Sequence, residues 1–367
     1  MVRRPDLGYH DEGLDFSDPA SFGAQRGVFG EARALPRVVY RSLQFLYLED
    51  EAVWTREWIP VGTVHEIPNA GDVLPFTLGY HGIHVQRIEQ DKFEARFNLA
   101  QHGGCRVVPA QCQQGKRTSC SFTSCGYSRD RGPIHADEGQ DNTRKMYQYL
   151  GLRPERLHQV AVANIGALIF LNIDPDPAGQ MPMTAELPTL LSDPAAMRVH
   201  RDWTEFTANW KFVGQSLAAT DEILSSTPQV MAGHRVGEDD TVIGVHWLFP
   251  NTVLLSAGPD VCIVVLQHTA IDQTLCRTEI LSTEPMTDDR RLFWEAELIA
   301  AGARAEDMQR GVPKKAAMDA IVEPAILPVQ SELSGWWFQN ALADRVATMP
   351  QVDTNVPIFR NVEHYLI

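Results

Sequence analysis

The residues densest in chemistry lie in one stretch, "NLAQHGGCRVVPAQCQQGKRTSCSFTSCGYSRD", Asn98 to Asp130. It holds His102, Cys105, Cys112, Cys120 and Cys125; the other cysteines of the chain are Cys262 and Cys276. Thiolate and imidazole are the donors that suit zinc and iron–sulfur centres. The steps between the five residues are three, seven, eight and five positions. Structural zinc sites usually contain a Cys-x-x-Cys pair, and this stretch has none. Three readings stay open: zinc on three or four thiolates with or without His102, free thiols packed as small apolar side chains, or a disulfide across two loops. The start of the chain, "MVRRPDLGYHDEGLDF", lacks the apolar core of a secretory signal. In such a chain, clustered cysteines suggest metal or redox chemistry before disulfides.

Other groups compete for a site. Asp221 and Glu222 are adjacent carboxylates in a segment read as helical, where neighbours point apart. Such a pair suits one solvated and one partly buried carboxylate better than paired acid/base work. His65, His81 and His84 fall at turn-like positions and read as exposed loop histidines. "GHRVGEDD" from Gly233 lacks the strand-to-helix setting of a phosphate loop. Trp336 and Trp337 in "SGWWFQ" read as core or interface anchors.

The elements that must position these residues follow from periodicity. Residues 1 to about 40 are rich in Gly, Pro and charge and predict an irregular arm. "SLQFLYLEDEAVWTREW" has helical spacing, with Leu46, Val53 and Trp54 on one side. Short strands cut by "PNAG", "GYHG" and "EQDK" follow, and "HQVAVANIGALIFLNI" predicts a hairpin. "RDWTEFTANWKFVGQSLAATDEIL" runs from strand into helix; residues 241–284 are strand-like, and "DDRRLFWEAELIAAGA" is an amphipathic helix.

Bulk numbers bound the function. A length of 367 residues suggests two domains. The apolar fraction of 44% and charged fraction of 22% are those of a globular protein. A net charge of -15 without a basic cluster speaks against nucleic acid and anionic membrane as partners. The apolar runs are too short to span a bilayer, so a cytoplasmic protein is expected.

Five separated fragments, "EWIPVGTVHEIPNAGDVL", "FNLAQHGG", "CGYSRD", "NWKF" and "VQSEL", stand in one order. In that order the chain resembles the α subunits of Rieske-type non-haem iron (ring-hydroxylating) oxygenases over about residues 45–340. The resemblance implies an α+β fold: a Rieske-like antiparallel β domain, then a helix-grip (START-like) domain with an antiparallel sheet and long helices. The expected limits are an arm at 1–45, the β domain at 46–175 and the helix-grip domain at 176–367.

The family's [2Fe–2S] ligands are Cys-x-His and Cys-x-x-His. Carried onto this sequence, they fall on Ala100, His102, Phe122 and Cys125. A Rieske centre needs two thiolates on one iron and two imidazoles on the other, and Ala and Phe have no lone pair. The family's mononuclear iron, held by two His and one Asp, falls on Glu222, Thr227 and Val322, and the carboxylate that links the two centres falls on Ala219. No His lies between His200 and His234.

These substitutions imply a chain without cofactor, apart from a zinc option on His102, Cys105, Cys112, Cys120 and Cys125. The function then expected is a non-catalytic subunit of an oxygenase complex acting on an aromatic or steroid-like substrate. Its partner would be an active Rieske oxygenase α subunit, as stacked trimers in a three-plus-three heterohexamer, with a ferredoxin or reductase supplying electrons. The alternative is a stand-alone binder of a small hydrophobic ligand in the helix-grip pocket.

Overall fold

The computed structural model describes residues 9–79, 81–97, 158–177, 181–237, 240–312 and 333–349. Ala100, His102, Cys105, Cys112, Cys120, Phe122, Cys125 and Val322 lie outside these residues. The described residues divide into two units: 54–97 with 158–177, and 9–53 with 181–349.

The beginning of the chain is irregular but packed. A two-residue ladder joins β1 (His10–Asp11) to β2 (Leu14–Asp15). Beyond it Phe16 and Phe22 are buried against Phe45, with ring centroids 5.2 and 5.9 Å away. Phe45 lies on α1 (Leu43–Glu49), which starts where the Ser42 hydroxyl accepts the Phe45 amide at 3.3 Å. The helical spacing of this segment is borne out, although the last turn, Asp50–Trp54, widens to a π-helix.

The first unit is an antiparallel sheet. Its strands are β3 (Ile59–Thr63), β4 (Val73–Leu78), β5 (His81–Glu89), β6 (Lys92–Phe97), β7 (Gln159–Ile165) and β8 (Leu168–Asn172), in the order β3-β8-β7-β6-β5-β4. The predicted β7–β8 hairpin forms around Gly166, whose φ of 54° is left-handed and suits a residue without Cβ. Arg87 is buried in this unit. Its guanidinium donates to the carbonyls of Val64, Ile67 and Gln90 and lies 4.7 Å from the Phe93 ring centroid. His84 departs from the loop reading: it sits within β5 and is 2% exposed.

The second unit is a larger antiparallel sheet with helices on one face. Its strands are β9 (Met197–Phe206), β10 (Glu222–Ser226), β11 (Val230–Val236), β12 (Val242–Leu248), β13 (Thr252–Ala257), β14 (Asp260–Ala270) and β15 (Gln273–Ser282), ordered β10-β11-β12-β13-β14-β15-β9. The helices are α2 (Trp210–Leu217), α3 (Asp288–Arg310) and α4 (Leu333–Ala347). Gly302 lets α3 settle onto β9, because a Cβ there would lie 1.9 Å from the Phe206 ring. Phe338 of α4 stacks on Trp247 of β12 at 4.5 Å and 2°. The predicted helix α3 is capped by Thr287 and carries Asp288 and Asp289 in its first turn and Arg310 in its last, which suits the helix dipole. It buries Trp294, Leu298 and Ala301 yet leaves Leu292 and Ile299 exposed, so its outer face is less polar than expected.

The α+β expectation with antiparallel sheets is borne out. No described helix is long and apolar enough to cross a membrane.

Candidate functional site

The triplet Asn209-Trp210-Lys211 opens α2, and each residue fastens a different neighbour. The Asn209 side-chain oxygen accepts the Lys211 amide at 3.1 Å and so caps the helix. Its Nδ2 donates to the Ile271 carbonyl at 2.7 Å and lies 3.4 Å from that of Tyr40. The Trp210 indole N–H points at Glu49 (3.4 Å), and its ring meets Phe338 edge-on at 5.4 Å. The Lys211 ammonium lies 2.7 Å from Glu49 Oε1, with both side chains at most 1% exposed. Phe212 then stacks on Tyr40 at 3.9 Å.

Burial dominates the electrostatics here. It pushes the Glu49 carboxyl up, and the Lys211 ammonium beside it works the other way. It pushes Lys211 down, against the pull of Glu49. The 2.7 Å contact marks an ion pair in which each charge answers the other. His268, on β14 and 3% exposed, is pushed down to about 4 by burial, against Asp50 and with Lys211. It is a neutral imidazole at pH 7. The sequence signal for Glu49 was an acid at the end of the apolar stretch Leu43–Leu48, the first of the run Glu49-Asp50-Glu51.

The residues after α2 take another course. Arg235 of β11 donates to the Leu217 carbonyl at 2.8 Å and the Ala219 carbonyl at 3.0 Å, and to Glu297 at 2.8 Å. This charge at the helix end stops α2. Asp221 and Glu222 are therefore not helical, contrary to the expectation; Glu222 opens the edge strand β10, exposed and paired with His234. The Asp221 carboxylate accepts the Val236 amide at 2.9 Å. The Thr227 hydroxyl accepts the amides of Gln229 (3.3 Å) and Val230 (3.1 Å), which closes the turn into β11. Its carbonyl accepts the Trp337 indole N–H at 2.9 Å, confirming Trp337 as a core anchor; Trp336 donates to the Gly27 carbonyl at 2.7 Å.

Of the expected iron positions the structure thus describes Glu222 and Thr227, and it describes the linking position Ala219. It does not bring them together as donors: a carbonyl bound to Arg235, an exposed carboxylate and a hydroxyl committed to a turn. Among the described residues no three His, Cys, Asp or Glu side chains converge to hold a metal ion. The described residues do not fit a two-histidine, one-carboxylate iron centre. Cys262 and Cys276 are buried free thiols, and burial pushes both far up, so they are inert.

The fold these units build is that of Rieske oxygenase α subunits. A solved quaternary ammonium Rieske monooxygenase in complex with an inhibitor superposes with a TM-score of 0.58 at 16% identity, over 92% of this chain and 99% of that one. By sequence, the homologues are Rieske oxygenase α subunits too. The glycine betaine monooxygenase oxygenase subunit of Chromohalobacter salexigens is 28% identical over 184 residues, 49% of this chain and 40% of that protein. The carnitine monooxygenase oxygenase subunit of Escherichia coli is 24% identical over 205 residues, 54% and 52% of the two chains. The match thus spans about half or less of these relatives' own length. No protein-family model matches the chain.

Two expectations are overturned. A non-catalytic subunit serving an aromatic or steroid-like substrate, or a stand-alone binder of a hydrophobic ligand, does not agree with these relatives. They are oxygenase subunits named for glycine betaine and carnitine, which are quaternary ammonium compounds. A chain without cofactor does not agree with them either, because Rieske oxygenases carry a [2Fe–2S] cluster and iron. The expectation judged iron by the inherited ligand positions alone and gave the other thiols only a zinc option. Cys105, Cys112 and Cys120 are further thiols beside them, and donors need not keep inherited positions.

Proposed function

We propose that this chain is an oxygenase subunit of a Rieske-type system whose substrate is a small quaternary ammonium compound. The observation that carries the reading is the agreement of two likenesses: the fold of a quaternary ammonium Rieske monooxygenase and the sequence of betaine and carnitine monooxygenase subunits. The net charge of -15 supports it, because a negative field raises the local concentration of a permanent cation. Monooxygenation consumes O2, two electrons and two protons and leaves water beside the hydroxylated product. An electron donor, a ferredoxin or a reductase, is therefore part of the reading. So are assembly with further α-type chains, with stacked trimers of three plus three as the arrangement to test, and a cytoplasmic location.

The thiol-rich stretch is the proposed seat of metal. His102, Cys105, Cys112, Cys120 and Cys125 offer enough sulfur for an iron–sulfur cluster, with a donor set richer in thiolate than a Rieske centre. Zinc on the same residues is the competing occupant. Because Glu222 and Thr227 do not fit a mononuclear iron, no chemical step is assigned through one.

The test is anaerobic purification of the full chain, supply of a ferredoxin, its reductase and NADH, and measurement of oxygen uptake with glycine betaine, with carnitine and with an aromatic hydrocarbon. Uptake stimulated by a quaternary ammonium compound supports the reading. Stimulation by the hydrocarbon alone, or by none of the three, overturns it.

A further inference from the structure

The ammonium of Lys211 does more than meet a carboxylate. It lies 5.3 Å from the ring centroid of Tyr40, 5.4 Å from that of Phe45 and 5.4 Å from that of Trp210. Glu49 supplies the counter-charge at 2.7 Å. Aromatic faces carry negative quadrupole density, and a cation within about 6 Å of several such faces is held more firmly the drier the site. Lys211 is 1% exposed, so water competes little. Rings plus a carboxylate are the arrangement that recognises an ammonium ion.

The two sides of this box come from distant parts of the chain. Tyr40, Phe45 and Glu49 belong to the segment that ends in α1, whereas Trp210 and Lys211 open α2. The cation therefore joins the early segment to the helix that leads directly into Ala219, Glu222 and Thr227. A neutral side chain of similar length would leave Glu49 buried without its counter-charge, which is costly.

We propose that Tyr40, Phe45, Trp210 and Glu49 form a cation receptor whose resident ligand is the chain's own Lys211 ammonium, and that the emptied receptor takes a primary alkylammonium. Lys211 is in this view a positioning residue that fixes α1 against α2.

Truncation provides the test. Lys211→Ala removes three methylenes and the ammonium, which together are n-propylammonium. The variant should melt more than about 5 °C below the parent chain, as expected when a buried pair loses one partner. Added n-propylammonium should recover more than half of that loss, whereas sodium at equal ionic strength and n-propanol should not. Glu49→Gln in the same background should weaken the recovery. If Lys211→Ala does not stay folded, the readout is the folded fraction regained on dilution from urea, by circular dichroism, with the same additives. Recovery by n-propanol as strong as by the amine would show a plain cavity and overturn the proposal. So would an absence of amine-specific recovery, or a Lys211→Met chain as stable as the parent.

Discussion

Asn209–Leu217 and Ala219–Thr227 are neighbours in sequence and opposites in environment. In the first, Trp210, Lys211, Phe212, Val213 and Leu217 are buried, and each side chain of the opening triplet reaches a distant partner. In the second, Glu222 is exposed on an edge strand, and the chain is held through its backbone. A buried residue with several partners is hard to exchange, because each exchange leaves a cavity or an uncompensated charge. An exposed edge position admits many residues.

The largest expected effect strikes the first stretch. Glu49→Ala leaves the Lys211 ammonium buried among rings without its carboxylate and should cost about 3–5 kcal/mol in urea unfolding. A loss below ~1 kcal/mol would remove the contrast between the two stretches. Next comes Asp260, which accepts the Arg290 fork and the Trp294 indole at 3.0 Å. Burial pushes this carboxyl up, but the hydrogen bonds from Arg290, Trp294 and Ser282 outweigh it and hold the group below its ordinary range. Its contribution is present above the unfolded carboxylate range and disappears as pH falls through the lowered folded value. Asp260→Asn should cost about 2 kcal/mol at pH 7 and flatten the acid limb of the stability curve.

The neutral histidines sharpen the comparison through pH. His84 is pushed down to about 4 by burial and then by Arg96; His268 reaches a similar value. Between pH 6.5 and about 4 the unfolded chain takes up protons that the folded chain refuses, so stability falls as pH falls through that window. His84→Asn and His268→Asn should each reduce this slope in urea midpoints measured at pH 7 and pH 5. A slope unchanged in both variants would mean that neither imidazole is held neutral.

Asn209→Ala should cost about 1–2 kcal/mol, the worth of a cap plus a buried hydrogen bond. Glu222→Gln should stay within about 0.5 kcal/mol of the parent and leave the metal content unchanged. Loss of metal in that variant would make the exposed edge a ligand site after all.

Much of the fold was legible because it is local. The β7–β8 pair announces itself by two apolar runs around Asn-Ile-Gly, and α3 by the helical spacing of "DDRRLFWEAELIAAGA". The extent of α2 was not legible. Its end depends on Arg235, a residue of a strand that comes later in the chain, and Glu222 becomes a strand by pairing with His234. His84 stands beside turn-forming glycines and is buried by tertiary packing that local pattern does not carry. At the candidate site, the likeness to a family marked the frame, but counting inherited ligand positions led to a chain without cofactor or catalysis. The thiols at Cys105, Cys112 and Cys120 were in view and were read as a zinc option only.

The measurement that tests the central claim most directly is iron, zinc and acid-labile sulfide per mole of anaerobically purified full chain. The account predicts iron with sulfide in equal amount, on the order of two of each for a single cluster. Zinc in place of iron, or neither iron nor sulfide, would contradict it.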